Sequence, residues 1–463
     1  MTAVTEAKKQ KTMPLFTDRY RYFILVLSLL CLTSISSNMV TFNIAILCMS
    51  PHKNVTTELN EQHVTYDYSN TEQSMLIWAV GVGSFVGTFP FSFLYSKYGG
   101  KYIFFAAGVT SIISTVLTPL AASIGFAWFL VVRFLQGIAY SADFAAIGLL
   151  TSRWALLTCY SPLSSTLTNV FSGYICESAL GWPFIYYFHS IAGVLLFALW
   201  FRMYNDYPDK TSRVSAIELE KIERGKQKEQ LELNSFVPYW KICTNLVVLI
   251  VWFNAFVEIF SGIFLVTYTP IYLRNVHGYS VETTGVLSSL PPLINMPVRV
   301  VFGLISDKIK FCTERTKMNI FNTFSVLGPA ICYGVVALLP HDNHLTAVIL
   351  FILINFFYAA SGGGFYKCAT LTCRQHSQFI IANIQFVKCL TLFVGPLMYA
   401  VFVHDSSQHD QWQPIFIIIS AFLVLATVLF LIFSTDQPQE FTKIKSKPEN
   451  SNESNVEENS VRH

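Results

Sequence analysis

Charge is scarce in this chain. Asp, Glu, Lys and Arg make up 13% of its 463 residues, where ordinary soluble domains carry about 25%. That shortage excludes a water-soluble fold of usual composition. Catalytic signatures are also missing. There is no glycine-rich Walker loop, which excludes an ATP-driven pump, and no nucleophile–base pair, redox pair or metal cluster has recognisable spacing. The chain therefore reads as no enzyme, with no cofactor, no metal and no nucleic-acid partner. The ten cysteines show no metal-type spacing. Most lie in or beside apolar blocks and read as small buried residues. Cys48 and Cys176 fall near helix ends on the same side, and whether they pair stays open. No cleavable signal peptide is evident, because residues 1–21 are polar and basic and the first apolar block is too long for a signal core.

What the chain has is hydrophobic residue, 53% of the total. It comes in blocks near the length that crosses a bilayer, about 20 residues, separated by short polar joints. The pattern predicts an all-α polytopic membrane protein of twelve transmembrane helices in two six-helix bundles, residues 22–204 and 244–434. An arm (1–21), a central loop (205–243) and a tail (435–463) flank them. The tail is polar without apolar periodicity and is expected to be disordered. Span 1, about Tyr22–Leu47, holds Ser34, Ser36, Ser37, Asn38, Thr41 and Asn43. Polar groups at that density face other helices or a cavity rather than lipid. Span 10 reads as one block, Leu345–Tyr366.

Orientation follows from the basic residues. The N-terminal arm, Lys97, Lys101, Arg153, the cluster from Arg202 to Lys241, Lys308, Lys310, Arg315, Lys317, Lys367, Arg374 and the tail lysines fall on one side, and only Lys53 and Arg274 on the other. Both termini and the central loop are thus expected in the cytoplasm. The acidic loop 48–72 is expected outside, with its sequon Asn54-Val55-Thr56 glycosylated at Asn54. The halves also echo each other. Ser92-Phe-Leu-Tyr-Ser96-Lys97 follows span 2, and Gly303-Leu-Ile-Ser-Asp307-Lys308 follows span 8. Repeated halves are a transporter architecture.

Charges inside spans mark candidate sites. Arg133 lies about 10 Å into a core about 30 Å thick, where a guanidinium costs about 2.5–3.5 kcal/mol. It is read as lining the path of an anionic solute, with Gly137 and Tyr140 on its helix face. The alternative is a structural Arg bonded to a backbone carbonyl or a neighbouring acid. Lys388, near the middle of span 11, takes a cavity or gating role, or else an ion pair. Arg299 in span 8 lines the cavity or snorkels to the interface. Glu258 in span 7 is the candidate coupling carboxylate, and the alternative is a permanent ion pair. Asp143 is a second gating candidate, or pairs with a neighbouring base. Asp307 reads as a gate residue that satisfies a helix end or a basic partner. His189 reads as a satisfied polar residue. The surplus of buried cations attracts anions.

The order and spacing of several motifs resemble the major facilitator superfamily, and within it the anion:cation symporter family, over nearly all the chain outside the tails. Gly303–Lys308 resembles the superfamily's loop signature. Arg133-Phe-Leu-Gln136-Gly137, Ser152-Arg153-Trp154-Ala155, Gly181-Trp182-Pro183, Pro238-Tyr-Trp240-Lys241 and Pro270-Ile-Tyr272-Leu273 resemble pieces of the anion family. The resemblance implies a monomeric secondary carrier for a small organic or inorganic anion, working by alternating access and coupled to Na+ or H+, in a plasma or vesicular/lysosomal membrane. Three positions depart from the pattern: Ser96 replaces the signature's Asp, Tyr140 an acid seven residues after the span-4 Arg, and Met39 a basic residue of span 1. They motivate a second reading, a receptor-like or scaffolding protein that kept the fold and lost transport.

Overall fold

The computed structural model describes residues 19–49, 65–150, 159–206, 238–309, 312–340 and 343–443. Regular structure among them is helical. The first half supplies α1 (Tyr20–Met49), α2 (Asn70–Tyr98), α3 (Gly100–Ile124), α4 (Phe126–Leu150), α5 (Tyr160–Glu177) and α6 (Gly181–Met203). The second supplies α7 (Leu246–Asn275), α8 (Val281–Lys308), α9 (Glu314–Leu338), α10 (His344–Tyr358 and Phe365–Cys373), α11 (Ser377–Phe402) and α12 (His409–Phe433). Among the described residues, ten helices are long and apolar enough to cross a membrane. The ends are set by capping chemistry. Ser69 and Glu72 form a reciprocal capping box at α2, and the Asn245 side-chain Oδ1 accepts from the Val247 and Val248 amides at α7. Asp206, just past α6, accepts from Gly100 N–H at 2.8 Å and so caps α3.

Span 10 is not continuous. Helix stops at Tyr358, a 3-10 turn covers Ser361–Gly363, and helix resumes at Phe365. Ser361-Gly-Gly-Gly364 explains the break, since each glycine costs a helix interior about 1 kcal/mol relative to alanine. The break also needs glycine for space: a Cβ at Gly363 would meet the Phe321 ring at 2.6 Å, and one at Gly364 the Asn322 backbone at 3.0 Å. The tail departs from expectation in its first residues. Phe441 is buried, Glu440–Lys443 form a 3-10 turn, and the Gln439 amide bonds back to Thr372 O. Residues 444–463 lie outside the described residues.

The halves meet along two helix pairs, α2 with α11 and α5 with α8. The second pair shows how sequence makes an interface. Pro292 lacks the N–H that would bond Ser288 O four residues back, and Asn169 Nδ2 of α5 supplies a donor at 3.3 Å instead. Further along, Glu282 N–H donates to Glu177 Oε1 at 3.1 Å, and Asn70 Nδ2 donates to Val403 O at 2.8 Å where α11 ends. A disulfide joins Cys48 at the end of α1 to Cys176 at the end of α5, with Cα atoms 6.2 Å apart.

Core packing distinguishes the two ends of the bundle. Where α1 and α7 finish, one hydrophobic cluster runs through both halves, from Phe42, Phe129 and Tyr186 to Phe264, Tyr268 and Trp412. Toward the end that carries both termini the cores are separate. One belongs to the first half, around Leu32, Phe104 and Trp200, and another to the second, around Val251, Phe365 and Phe430. The hydrophobic cores are thus joined across the halves at one end, the closed end, and separate at the other, the parted end.

Candidate functional site

Lys388 of α11 sits between the halves. Its Nζ donates to Tyr160 Oη of α5 at 3.3 Å and lies 5.3 Å from the ring centre of Tyr140 on α4 and 5.6 Å from that of Tyr160. A cation above phenol faces is stabilised by their quadrupoles. Asp143, one turn past Tyr140, is fully buried, and neither carboxylate oxygen has a hydrogen-bond partner among the described residues. It is in electrostatic range of Lys388, Tyr95 and Tyr160. Lys388, Tyr140 and Asp143, chosen from sequence, therefore converge. Tyr160 was missed, because it opens a polar stretch (Tyr160-Ser-Pro-Leu-Ser-Ser) with no charge to mark it.

Arg133 does not join them. It is 2% exposed, at the closed end. Its Nη1 donates to Met39 O of α1 at 3.1 Å and to Gln136 Oε1 at 2.7 Å, its Nε donates to Leu76 O of α2 at 3.3 Å, and its guanidinium lies 4.6 Å from the Phe42 ring centre. Gln136 is fixed in turn by its amide, which donates to the Thr115 and Thr118 hydroxyls. These contacts, two backbone carbonyls and a side-chain amide, are of the kind the structural alternative expects. The physical reason is satisfaction: a fork of donors in an apolar environment takes the nearest carbonyls. Gly137 lies against the backbone of α2, where a Cβ would overlap Val80 O, so the close crossing of α2 and α4 needs glycine there.

The other acids and bases sit in the second half. Glu258 of α7 is 8% exposed, within electrostatic range of Ser361 at the break in α10. Arg299 of α8 is half-buried, within electrostatic range of Glu258 on one side and of Cys159, beside Tyr160, on the other. Arg299 and Lys388 thus approach neighbouring residues at the start of α5. Asp307 is exposed at the end of α8, where its charge acts on Lys317. Lys317 and Lys367 both bind Glu314, each at 2.8 Å. His189 is satisfied by Ile185 O at 2.8 Å. Asn54 lies outside the described residues. Among the described residues no group of acids, cysteines and histidines is arranged to hold a metal.

Comparison with known proteins agrees with this geometry. Similar sequences include the probable small intestine urate exporter of Mus musculus, 25% identical over 82% of this chain and 79% of the relative. They also include the sodium-dependent phosphate transport protein 1 of Mus musculus, 25% identical over 92% of this chain and 95% of the relative. The inward open structure of the xylose transporter XylE from E. coli superposes with a TM-score of 0.66 at 13% identity, covering 90% of this chain and 97% of that one. The family model of the Major Facilitator Superfamily matches residues 22–396. With a matched span of that length, paired halves and a core closed at one end only, the chain belongs to the Major Facilitator Superfamily, a family of multi-pass membrane transporters.

Proposed function

We propose that this protein carries a small organic or inorganic anion across a membrane by alternating access, coupled to a cation gradient. The carrying observation is Lys388, an ammonium from one half held against two phenols of the other. An anion entering from the parted end meets Lys388 first, with Arg299 on the facing wall. Bound anion and Lys388 together draw α11 toward α4 and α5, which is the motion that closes the parted end. Hydrogen bonds to a charged group are stronger than those to phenol, so a carboxylate, phosphate or planar anion displaces the Tyr160 contact at little cost. The names of the relatives, urate exporter and sodium-dependent phosphate transport protein, support the anion class.

In this reading the basic, parted end faces the cytoplasm, and the structure is the inward-facing state. Arg133 positions α1 and α2 on α4 at the closed end. The test is counterflow in vesicles reconstituted with the full chain, using radiolabelled urate, phosphate, glutamate and sialate in turn. Exchange of at least one, lost in Lys388→Ala, supports the reading. No exchange of any anion leaves the scaffolding alternative as the better account.

A further inference from the structure

The first residues after α12, 434–443, are seated on the second half. Ser434 Oγ donates to Asn319 Oδ1 near the start of α9 at 2.6 Å, and Cys368 Sγ of α10 donates to Thr435 O at 3.6 Å. Gln439 N–H donates to Thr372 O near the end of α10 at 3.0 Å, while Gln439 Oε1 accepts from Asn245 Nδ2, on the residue that caps α7, also at 3.0 Å. Phe441 is 3% exposed and belongs to the apolar cluster of Val251, Phe365 and Phe430. Its ring centre lies 6.1 Å from that of His376, the last residue of the short 3-10 turn Arg374–His376 that joins α10 to α11. His376 is 2% exposed, and neither ring nitrogen has a hydrogen-bond partner among the described residues. The same link holds Arg374 at φ 43°, the one non-glycine residue at positive φ among the described residues. That conformation is disfavoured for a residue with a Cβ and persists only where its surroundings hold it.

A neutral imidazole can lie beside a phenyl ring in an apolar pocket. An imidazolium there gives up its hydration with nothing to replace it. Burial accordingly holds His376 below the usual imidazole value. Three elements pack on the turn: the second piece of α10, α11 and the 3-10 turn of the tail. The piece of α10 brings Lys367 and the buried thiols of Cys368 and Cys373, α11 has no ionisable residue before Lys388, and the tail turn brings Glu440, which is exposed, and Lys443. Arg374, in the link itself, is exposed. We propose that residues 439–443 are a proton-released clasp: with His376 neutral, Phe441 stays seated and ties the ends of α7 and α10 together, and a proton taken up by His376 unseats it. The proton comes from the water at this end and forms a second N–H on the ring. The cation then leaves the apolar pocket, the Gln439 bonds to α7 and α10 part, and the strained Arg374 link relaxes. Helix α11 begins one residue after His376, so what the clasp holds is the start of the helix that carries Lys388. The open form takes up its proton at the ordinary imidazole value and the clasped form only at a lower one. The clasp is therefore at full strength above about pH 6.5 and weakens as the pH falls below it. It goes beyond the anion-carrier reading and does not rest on it.

The test is amide hydrogen exchange, read by mass spectrometry, on the full-length protein in lipid nanodiscs at pH about 7.5 and about 5.5, on either side of the imidazole range. Phe441→Ala leaves the clasp unseated at both values, so the ratio of its exchange to that of wild type at the same pH cancels the intrinsic effect of pH on exchange. Peptides covering residues 435–443 and 377–384 are expected to be protected in wild type at the higher pH and to lose that protection several-fold at the lower. His376→Leu stays apolar and cannot take a proton, so it should keep the protection at both; His376→Met serves the same purpose if the leucine variant does not fold. Glu440→Gln should respond to pH as wild type does. Equal exchange in wild type and Phe441→Ala at the higher pH overturns the clasp. Protection that is the same at both pH values in wild type, a pH response that survives in the variant without the imidazole, or one that disappears in Glu440→Gln overturns its release by a proton on His376. A response confined to 435–443, with 377–384 unchanged, overturns the hold on α11.

Discussion

Lys388 Nζ reaches Tyr160 Oη across the boundary between the halves, at 3.3 Å, with the Tyr140 ring beneath it. In the anion-carrier reading this contact is what a solute replaces. Lys388→Ala is expected to weaken transport about tenfold to a hundredfold, the worth of one charge-assisted hydrogen bond of about 1.5–3 kcal/mol. Tyr160→Phe keeps the ring and removes only the hydroxyl, so it should change KM by a few-fold at most. Initial rates of uptake over a concentration series check both. A silent Lys388→Ala rules the lysine out as the anion's contact.

The Asn169–Ser288 bond exists because Pro292 cannot donate. Asn169→Ala is expected to cost about 1 kcal/mol, visible as a lower melting temperature of the detergent-solubilised protein. Pro292→Ala restores a helical N–H to Ser288 O, so in that background the loss of Asn169 should cost less. Equal costs in both backgrounds would mean that the proline and the asparagine do not cooperate.

Much of this architecture was legible in the sequence, for a physical reason. A bilayer forces backbone groups into helices of fixed length, so apolar block length alone gives element number and class. Polar density in α1 told correctly that the helix is covered, and Asn38 does bond Ser111, at 2.9 Å. Partners were harder to read. Nothing in the order of residues says whether the nearest acceptor to Arg133 is a solute or Met39 O, because that depends on where α1 and α2 cross α4. Tyr160 was silent because a phenol carries no insertion cost to betray it. The break in α10 was written in three consecutive glycines, yet an apolar average over the span hides them.

The disulfide Cys48–Cys176 spans 128 residues. Closing a loop of that size is worth about 2–4 kcal/mol in ordinary cases. Cys48→Ser should lower the melting temperature without abolishing insertion. In wild type, maleimide mass-tagging of the denatured chain should add two further tags only after reduction. Equal tagging before and after reduction excludes the bridge.

The proposed orientation is checked from outside intact cells. A tag on the C-terminus should react only after permeabilisation, and Asn54→Gln should remove glycosidase-sensitive mass. Surface reactivity of the tag would invert the topology and place the parted end outside.

Arg133 separates two roles that sequence alone leaves together. If it contacts solute, Arg133→Ala raises KM and leaves stability intact. The structure has it tying α1, α2 and α4 through two carbonyls, one amide and an aromatic face at the closed end. Removing the guanidinium abolishes those ties but also removes the cost of burying a charge, so the net loss of stability should be modest, about 1–2 kcal/mol. Closing that end, however, depends on the tie, because the cluster joining the halves there begins at Phe42, against which the guanidinium rests. Arg133→Ala is therefore expected to lower Vmax about tenfold or more with KM little changed, and to lower the melting temperature by a few degrees. Arg133→Lys keeps the charge over Phe42 but cannot fork to two helices at once, so it should recover part of the melting temperature and little of Vmax. A tenfold rise in KM with an unchanged melting temperature would reassign Arg133 to the solute path.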